Sequence, residues 1–303
     1  WDQYNDDEID DPRVGNIPLE ERDAHSRRLF YTTGRHMEEV GPADVRRARR
    51  AYYAVMSWLD ERIGRVLDTL ETIGEKGNTI IVLAADHGDM LGERGMWFKM
   101  SFHEWSVRVP MIVHAPCMYQ PRRVKENVSL LDLFPTFLEW AGDGQMPELV
   151  SEIDGHGMAG LAGGSTEGWP DVAYSEYNGE GSEFPLLMVR RGRWKYMYGE
   201  DDPPVLYDLE ADPDELTNLA GTEAVREIEA ELHAEVFRQW DPVELRSRVT
   251  ESQKRRLFLH KALAMGKRAP WDWNPARDAS REYVRDEGDI QGIYDTEWSD
   301  QKR

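Results

Sequence analysis

The stretch TIIVLAADHGDMLGERGMWFKM, from Thr79 to Met100, constrains the fold more than any other part of the chain. Thr79 to Ala84 is β-branched or aliphatic without a polar interruption. Such a continuous apolar run predicts a strand covered on both faces, as at the centre of a layered α/β sheet. The run then stops at Asp86, His87 and Gly88. In open α/β sheets, ligand sites lie just beyond the carboxyl ends of the strands. This strand would therefore carry an acid and an imidazole to such a place. Adjacent side chains on a regular strand point to opposite faces. The two can converge only if the backbone turns at once, and the conformational freedom of Gly88 is expected to permit that turn. Oxygen and imidazole together suit a divalent cation such as Mg²⁺, Mn²⁺, Ca²⁺ or Zn²⁺. The alternative is a turn-capping Asp86 and a packed or surface His87, and two ligands do not by themselves complete a metal site. Lys99 follows in the aromatic setting GMWFKMSFHEW. There it is either a point positive charge for a sulfate or phosphate oxygen or a solvated loop lysine.

Helical and strand patterns surround this segment in an α/β rhythm. Pro42 opens a predicted helix whose Val45, Ala48, Tyr52, Val55, Leu59, Ile63, Val66, Leu70 and Ile73 form one apolar stripe. Gly74 ends it. Val109 to Val113 predicts a second strand, and Leu130 to Trp140 a helix with Pro135 in its first turn and Gly142 as its stop. Residues 1 to about 40 read as an acidic loop region. Beyond Gly-rich loops that run to Trp169, Leu186–Val189 and Trp194–Tyr198 predict a hairpin, with Val205–Tyr207 as a possible third strand. Glu223–Trp240 predicts an amphipathic helix, and residues 244 to about 265 a basic one. The expected divisions are 1–150 for a catalytic α/β part, 151–242 for a small antiparallel sheet with its helix, and 243–303 for a C-terminal helix and tail.

A net charge of −21 argues against nucleic acid or an anionic membrane as partner. No apolar run approaches the roughly 20 residues needed to cross a bilayer. The lone cysteine, Cys117, excludes an internal disulfide, is expected to be a small buried apolar residue, and fits a reducing, cytoplasmic compartment. The chain starts at Trp1 within a polar stretch that has no signal-peptide pattern. It is expected to be part of a longer polypeptide.

LAADHGDMLGERGMWFKMSFHEWSVRVPMIVHAP and VSLLDLFPTFLEWAG together resemble the C-terminal half of a sulfatase of the alkaline phosphatase superfamily. MVRRGRWKYMYGEDDPPVLYDLEADPDELTNLAG is similar to the small-sheet segment of the same family. The opening WDQYNDDEIDDPRV and the tail APWDWNPARDASREYVRD resemble its choline sulfatase branch. The fold implied is a mixed sheet between helices, with a smaller antiparallel sheet plus helix and a C-terminal tail. The chemistry implied is sulfate-ester hydrolysis, with choline O-sulfate as the substrate. The nucleophile would be a formylglycine made from Cys or Ser in a C-x-P-x-R or S-x-P-x-R motif, acting beside one divalent ion, with Ca²⁺ first and Mg²⁺ or Mn²⁺ as alternatives. By the resemblance, Asp86 and His87 are metal ligands, Lys99 contacts the sulfate, and Arg108 supports it. Glu176 and Asp289 would face the quaternary ammonium of choline, a group that aromatic faces and carboxylates hold.

Cys117 lies in CMYQP, which is not the nucleophile motif, and no serine begins the equivalent. The chain alone is therefore expected to be inactive. The tail, with Trp271, Trp273 and Trp298, is expected to pack against a neighbouring subunit in a homo-oligomer or to fold back on its own domain. Two rivals remain at this stage: a phosphonate monoester hydrolase or phosphodiesterase of the same superfamily, and a sulfatase-like module that binds without catalysis.

Overall fold

The computed structural model describes residues 2–142, 146–182 and 184–266. It divides into a compact unit over residues 1–245 and a second unit beginning at Arg246. In the first unit, α1 (Ala24–Thr32) and the long α2 (Pro42–Thr72) precede β1 (Ile81–Ala84), the short α3 (Glu104–Val107) and β2 (Met111–His114). Then come α4 (Leu133–Ala141), α5 (Ala159–Gly163), β3 (Val172–Tyr177), β4 (Leu186–Arg191), β5 (Trp194–Gly199), β6 (Val205–Asp208) and α6 (Arg226–Gln239). A last helix, α7 (Pro242–Ala264), runs into the second unit.

β1 and β2 form a two-stranded antiparallel pair, with Ile81 opposite His114 and Ala84 opposite Met111. β3 to β6 form a four-stranded antiparallel sheet in sequence order. The second sheet carries the main core. On one face Leu187, Val189, Tyr196 and Leu206 pack against Val225, Leu232 and Val236 from α6 and the turn before it. On the other face Leu186 and Met188 pack with Phe184 and with Phe102 from the loop after β1. Cover on both sides accounts for the unbroken apolar run LLMV in β4.

Several expectations need correction. The stretch from 1 to about 40 is not a plain loop, because it contains α1. Asp23 caps this helix by accepting the N–H of Ser26 at 2.9 Å, and Gly34, in the left-handed region at φ 71°, follows its end. The strand at β1 is not covered on both faces by the described residues. Its Leu83 and the Ile112 opposite share one face of the strand pair, and both are exposed. The α2 stripe is similarly open, with Val55, Leu59, Val66 and Ile73 at the surface. β3 was absent from the sequence expectation, since VAYSEY mixes polar and apolar residues on both faces. Cys117 is exposed, not buried. It lies just past β2, where its Sγ–H donates to the carbonyl of Gly77 at 3.4 Å.

The contrast between two apolar stripes is testable. Leu232→Ala, in a fully buried position, is expected to destabilise the chain by about 2–5 kcal/mol. Val66→Ala, on the open stripe, should change stability by less than about 0.5 kcal/mol. Urea unfolding of the two variants against the parent checks both values.

Candidate active site

The loop after β1 is an irregular hairpin. The N–H of Met90 donates to Phe98 O at 2.7 Å, and the N–H of Gly92 to Met96 O at 2.9 Å. Its backbone is costly: the non-glycine residues Leu91, Arg94 and Phe98 all lie at positive φ, alongside Gly92 and Gly95. The strain persists because the loop is anchored at many points. Glu93, 1% exposed, accepts the N–H groups of Arg13 and Val14 at 3.0 and 2.8 Å and pairs with Arg49 at 3.3 Å. Arg94 donates to the carbonyl of Glu215 at 2.9 Å. α1 seats the far side: Leu29 packs with Met90 and Met96, and His25 donates Nε2–H to Met100 O at 2.6 Å.

At the start of this loop stand Asp86 and His87. His87 Nδ1 lies 2.8 Å from the carbonyl of Gly88, and a carbonyl can only accept, so Nδ1 carries the proton. With Nδ1 protonated, the neutral form of His87 would have its lone pair at Nε2, and this atom lies 3.4 Å from Asp86 Oδ2. A ring held through its other nitrogen by a backbone carbonyl is the arrangement that orients metal-ligating histidines. Either a proton on Nε2 or a cation beside both atoms satisfies this contact. The pair therefore fits a divalent ion, as two of the four or more ligands it requires. No group of three or more His, Cys, Asp or Glu suited to a metal occurs among the described residues.

Gly88 is needed for a different reason than expected. Its φ is not positive. A Cβ there would lie 2.1 Å from the carbonyl oxygen of Trp105, so the glycine permits close approach of α3. Lys99 is exposed and one residue beyond strained Phe98. Its backbone carbonyl accepts the hydroxyl of Ser106, while the carbonyl of Ser106 accepts the N–H of Gly88 at 2.7 Å. The fold thus brings the Asp86–His87 segment and Lys99 together. Half-buried Asp89 carries the charge influence of both His87 and Lys99, although burial is the main cause of its raised pKa.

Glu176 is placed elsewhere. On β3 it pairs with Leu187, on the sheet face covered by α6, where Trp240 Nε1–H donates to it at 3.1 Å and Asn178 at 3.2 Å. Phe102 packs on the opposite face. Arg108 is exposed at the end of α3. Asp289 and the tail tryptophans Trp271, Trp273 and Trp298 lie outside the described residues.

Sequence patterning did not reveal the buried ion cluster behind the loop. Lys195 Nζ, fully buried, contacts Glu104 at 2.5 Å and Glu215 at 2.8 Å, and donates to Phe102 O at 2.9 Å. Fully buried His103 lies between Glu215, 3.3 Å from Nδ1, and Asp23, 3.5 Å from Nε2. Burial alone would lower the His103 pKa, but Asp23 and Glu215 outweigh it and hold it above the ordinary value. Burial would raise Glu215, yet Lys195 and His103 bring it down to about 2. Asp23 is likewise depressed against its burial, by His103 and Ser26. Single charged letters inside loops give no hint of burial, and this cluster has no spacing signature.

Comparison with known proteins gives the family. A family model described as sulfatase matches residues 4–143, and one described as N-sulphoglucosamine sulphohydrolase, C-terminal, matches 92–246. The chain belongs to the sulfatase family. A third model, choline sulfatase enzyme C terminal, matches residues 247–297 of this sulfatase chain. The chain is 41% identical over 290 residues to a choline-sulfatase of Rhizobium meliloti (strain 1021), covering 94% of itself and 56% of that protein. It is 33% identical to arylsulfatase K of Xenopus laevis, over 63% of itself and 37% of the relative. It therefore spans about half the length, or less, of these curated relatives. Among solved structures, a phosphonate monoester hydrolase of Agrobacterium radiobacter aligns with a TM-score of 0.57 at 27% identity, covering 69% of this chain and 43% of that one. A 2-O GAG sulfatase aligns at 0.65 and 25%, covering 81% and 54%. These neighbours share the alkaline-phosphatase-like α/β fold expected from the sequence.

The cluster makes stability pH-dependent with a definite sign. Glu215 and Asp23, both depressed, contribute above their ordinary 4.5 and 3.8, and this contribution fades as pH falls below those values. His103, raised, contributes fully below its ordinary 6.5 and loses its share as pH climbs through its elevated value. Thermal unfolding across pH should therefore show a maximum between about 4.5 and 6.5. His103→Gln should remove the alkaline decline and also shrink the acid one, leaving mainly the part of the Glu215 contribution that Lys195 supplies.

Proposed function

We propose that this chain carries the strand-end half of the active site of a sulfate-ester hydrolase whose substrate is choline O-sulfate. One observation carries this: His87 Nε2 and Asp86 Oδ2 face each other, with the tautomer set by the Nδ1–H to Gly88 bond, on a loop that also brings in Lys99. Asp86 and His87 would hold one divalent ion, with Ca²⁺ first and Mg²⁺ or Mn²⁺ as alternatives. When bound, that ion supplies electrophilic stabilisation to oxygen charge on the sulfuryl group. Lys99, on an exposed flexible stem, would place a positive charge on the same group as the ester bond breaks. The formylglycine nucleophile and the remaining ligands would come from residues beyond this chain. By itself the chain is proposed to turn over no ester.

The choline assignment rests on the 41% identical relative and on the matched C-terminal model. Glu176 and Asp289 would face the quaternary ammonium. Glu176 has the charge for it, and its carboxylate is already oriented by the Trp240 indole. The tail would pack against a neighbouring copy in a homo-oligomer. A cytoplasmic location is proposed on the lone, exposed thiol. No helix among the described residues is long and apolar enough to cross a membrane. A second reading, phosphonate monoester hydrolysis, is favoured by the likeness to the Agrobacterium radiobacter structure.

The test uses the polypeptide that carries this chain, loaded with metal. Choline O-sulfate should be hydrolysed faster than phenyl phosphonate. Lys99→Ala should lower the rate by at least about 100-fold. Asp86→Ala with His87→Ala should abolish both metal retention and turnover. Retention of metal and rate in the double variant would refute the site, and preference for the phosphonate would favour the second reading.

A further inference from the structure

Ser106 occupies a place that the proposed chemistry does not use. It lies on α3, is 1% exposed, and its polar groups join three segments. Its N–H donates to His103 O at 2.8 Å, its carbonyl accepts the N–H of Gly88 at 2.7 Å, and its hydroxyl donates to Lys99 O. We infer that Ser106 is a positioning residue that sets where Lys99 stands relative to the Asp86–His87 pair. This rests on the proposed sulfate-ester site and goes beyond it by naming what holds that site's two halves in register.

The geometry supports the role from both sides of the serine. Toward the metal-binding segment, α3 comes so near that Gly88 has no room for a Cβ beneath the Trp105 carbonyl. The contact is thus a close backbone junction, not a loose surface touch. Toward Lys99, the lysine side chain is exposed, and the preceding Phe98 is held at φ 66°. A flexible four-carbon stem inherits its aim from its own backbone. The Ser106 hydroxyl is the side-chain donor that fixes the Lys99 carbonyl.

The serine itself sits on a rigid seat. The carbonyl of His103 accepts the N–H groups of Ser106 and, at 3.0 Å, of Val107. The His103 ring is clamped between Asp23 and Glu215, and the Glu104 N–H donates to Glu215 at 2.8 Å. Displacement of Ser106 would require the buried ion cluster to open. Removing the hydroxyl alone leaves that seat intact and frees one carbonyl, at Lys99.

A double-mutant cycle tests the inference in the metal-loaded polypeptide that carries this chain. Ester hydrolysis is one readout, and Mn²⁺ affinity by calorimetry is the other. Ser106→Ala is expected to lower kcat/KM about 10- to 100-fold, mostly in kcat, because small misplacement of a charge-stabilising group is costly. Mn²⁺ affinity should stay within about twofold, since the Gly88 contact is made by main chain. In a Lys99→Ala background the same change should cost less than about twofold, there being no ammonium left to misplace. Ser106→Cys, a weaker donor of similar size, should fall between, and it carries the cycle if the alanine variant does not fold. An equal loss in both backgrounds would make Ser106 merely structural and overturn the inference. A costly Lys99→Ala beside a silent Ser106→Ala would overturn the inference alone. A silent Lys99→Ala would overturn the lysine assignment and this inference with it.

Discussion

The structure turns on Glu215. Its carboxylate is 1% exposed and meets the Lys195 ammonium, the His103 ring and the Glu104 N–H. Its own backbone sits at φ 57°, and its carbonyl receives Arg94. One residue therefore ties β5, the start of α3 and the strained hairpin together. Buried ion pairs are a poor source of net stability, because desolvation offsets much of the Coulomb attraction. Their strength lies in discrimination: once the charges are inside, alternative placements leave one of them unpaired at several kcal/mol. The cluster fixes the residues that follow the hairpin, Phe102 to Glu104, while Glu93 and Arg94 anchor the hairpin itself.

The small sheet divides its labour by face. The α6 face is apolar throughout its centre and supplies cohesion through ordinary burial. The opposite face receives Phe102, and the residue after Phe102 is the clamped histidine. The sheet is thus both a core and an anvil for the functional loop. Glu176 belongs to the first face, so its route to a substrate differs from that of Lys99. α2, β1 and β2 keep apolar residues at the surface, so their contribution is placement of the strand end more than cohesion.

Much of this architecture was legible in the sequence, for reasons that differ by element. α2 announced itself through a long 3.6-residue stripe and a proline start. The β4–β5 hairpin did so through two dense apolar runs around RRGR, and α6 through its amphipathic spacing. Asp86 and His87 stood out because they follow a strand almost at once, and Lys99 because it is a lone lysine among aromatic residues in the loop beyond. α1 left a usable mark that periodicity obscured, namely Asp23 three residues before Ser26 and Gly34 beyond its end. β3 left little, since alternation is weak when both faces are only partly covered. The ion cluster left none: Asp23, His103, Lys195 and Glu215 are far apart in sequence, and their pairing is a property of the fold.

The place of glycine in Asp-His-Gly shows how the two levels join. Sequence reasoning asked for a residue that could turn, because neighbours on a strand diverge. In the structure β1 has already ended at Ala84, so Asp86 and His87 are free of strand alternation before the glycine is reached. What Gly88 adds is absence of volume: α3 can press its backbone against the segment and bond it through Ser106. A side chain at this position would push α3 outward, and with it the carbonyl contact to Lys99. The requirement that joins the carboxylate, the imidazole and the lysine is therefore steric before it is electrostatic.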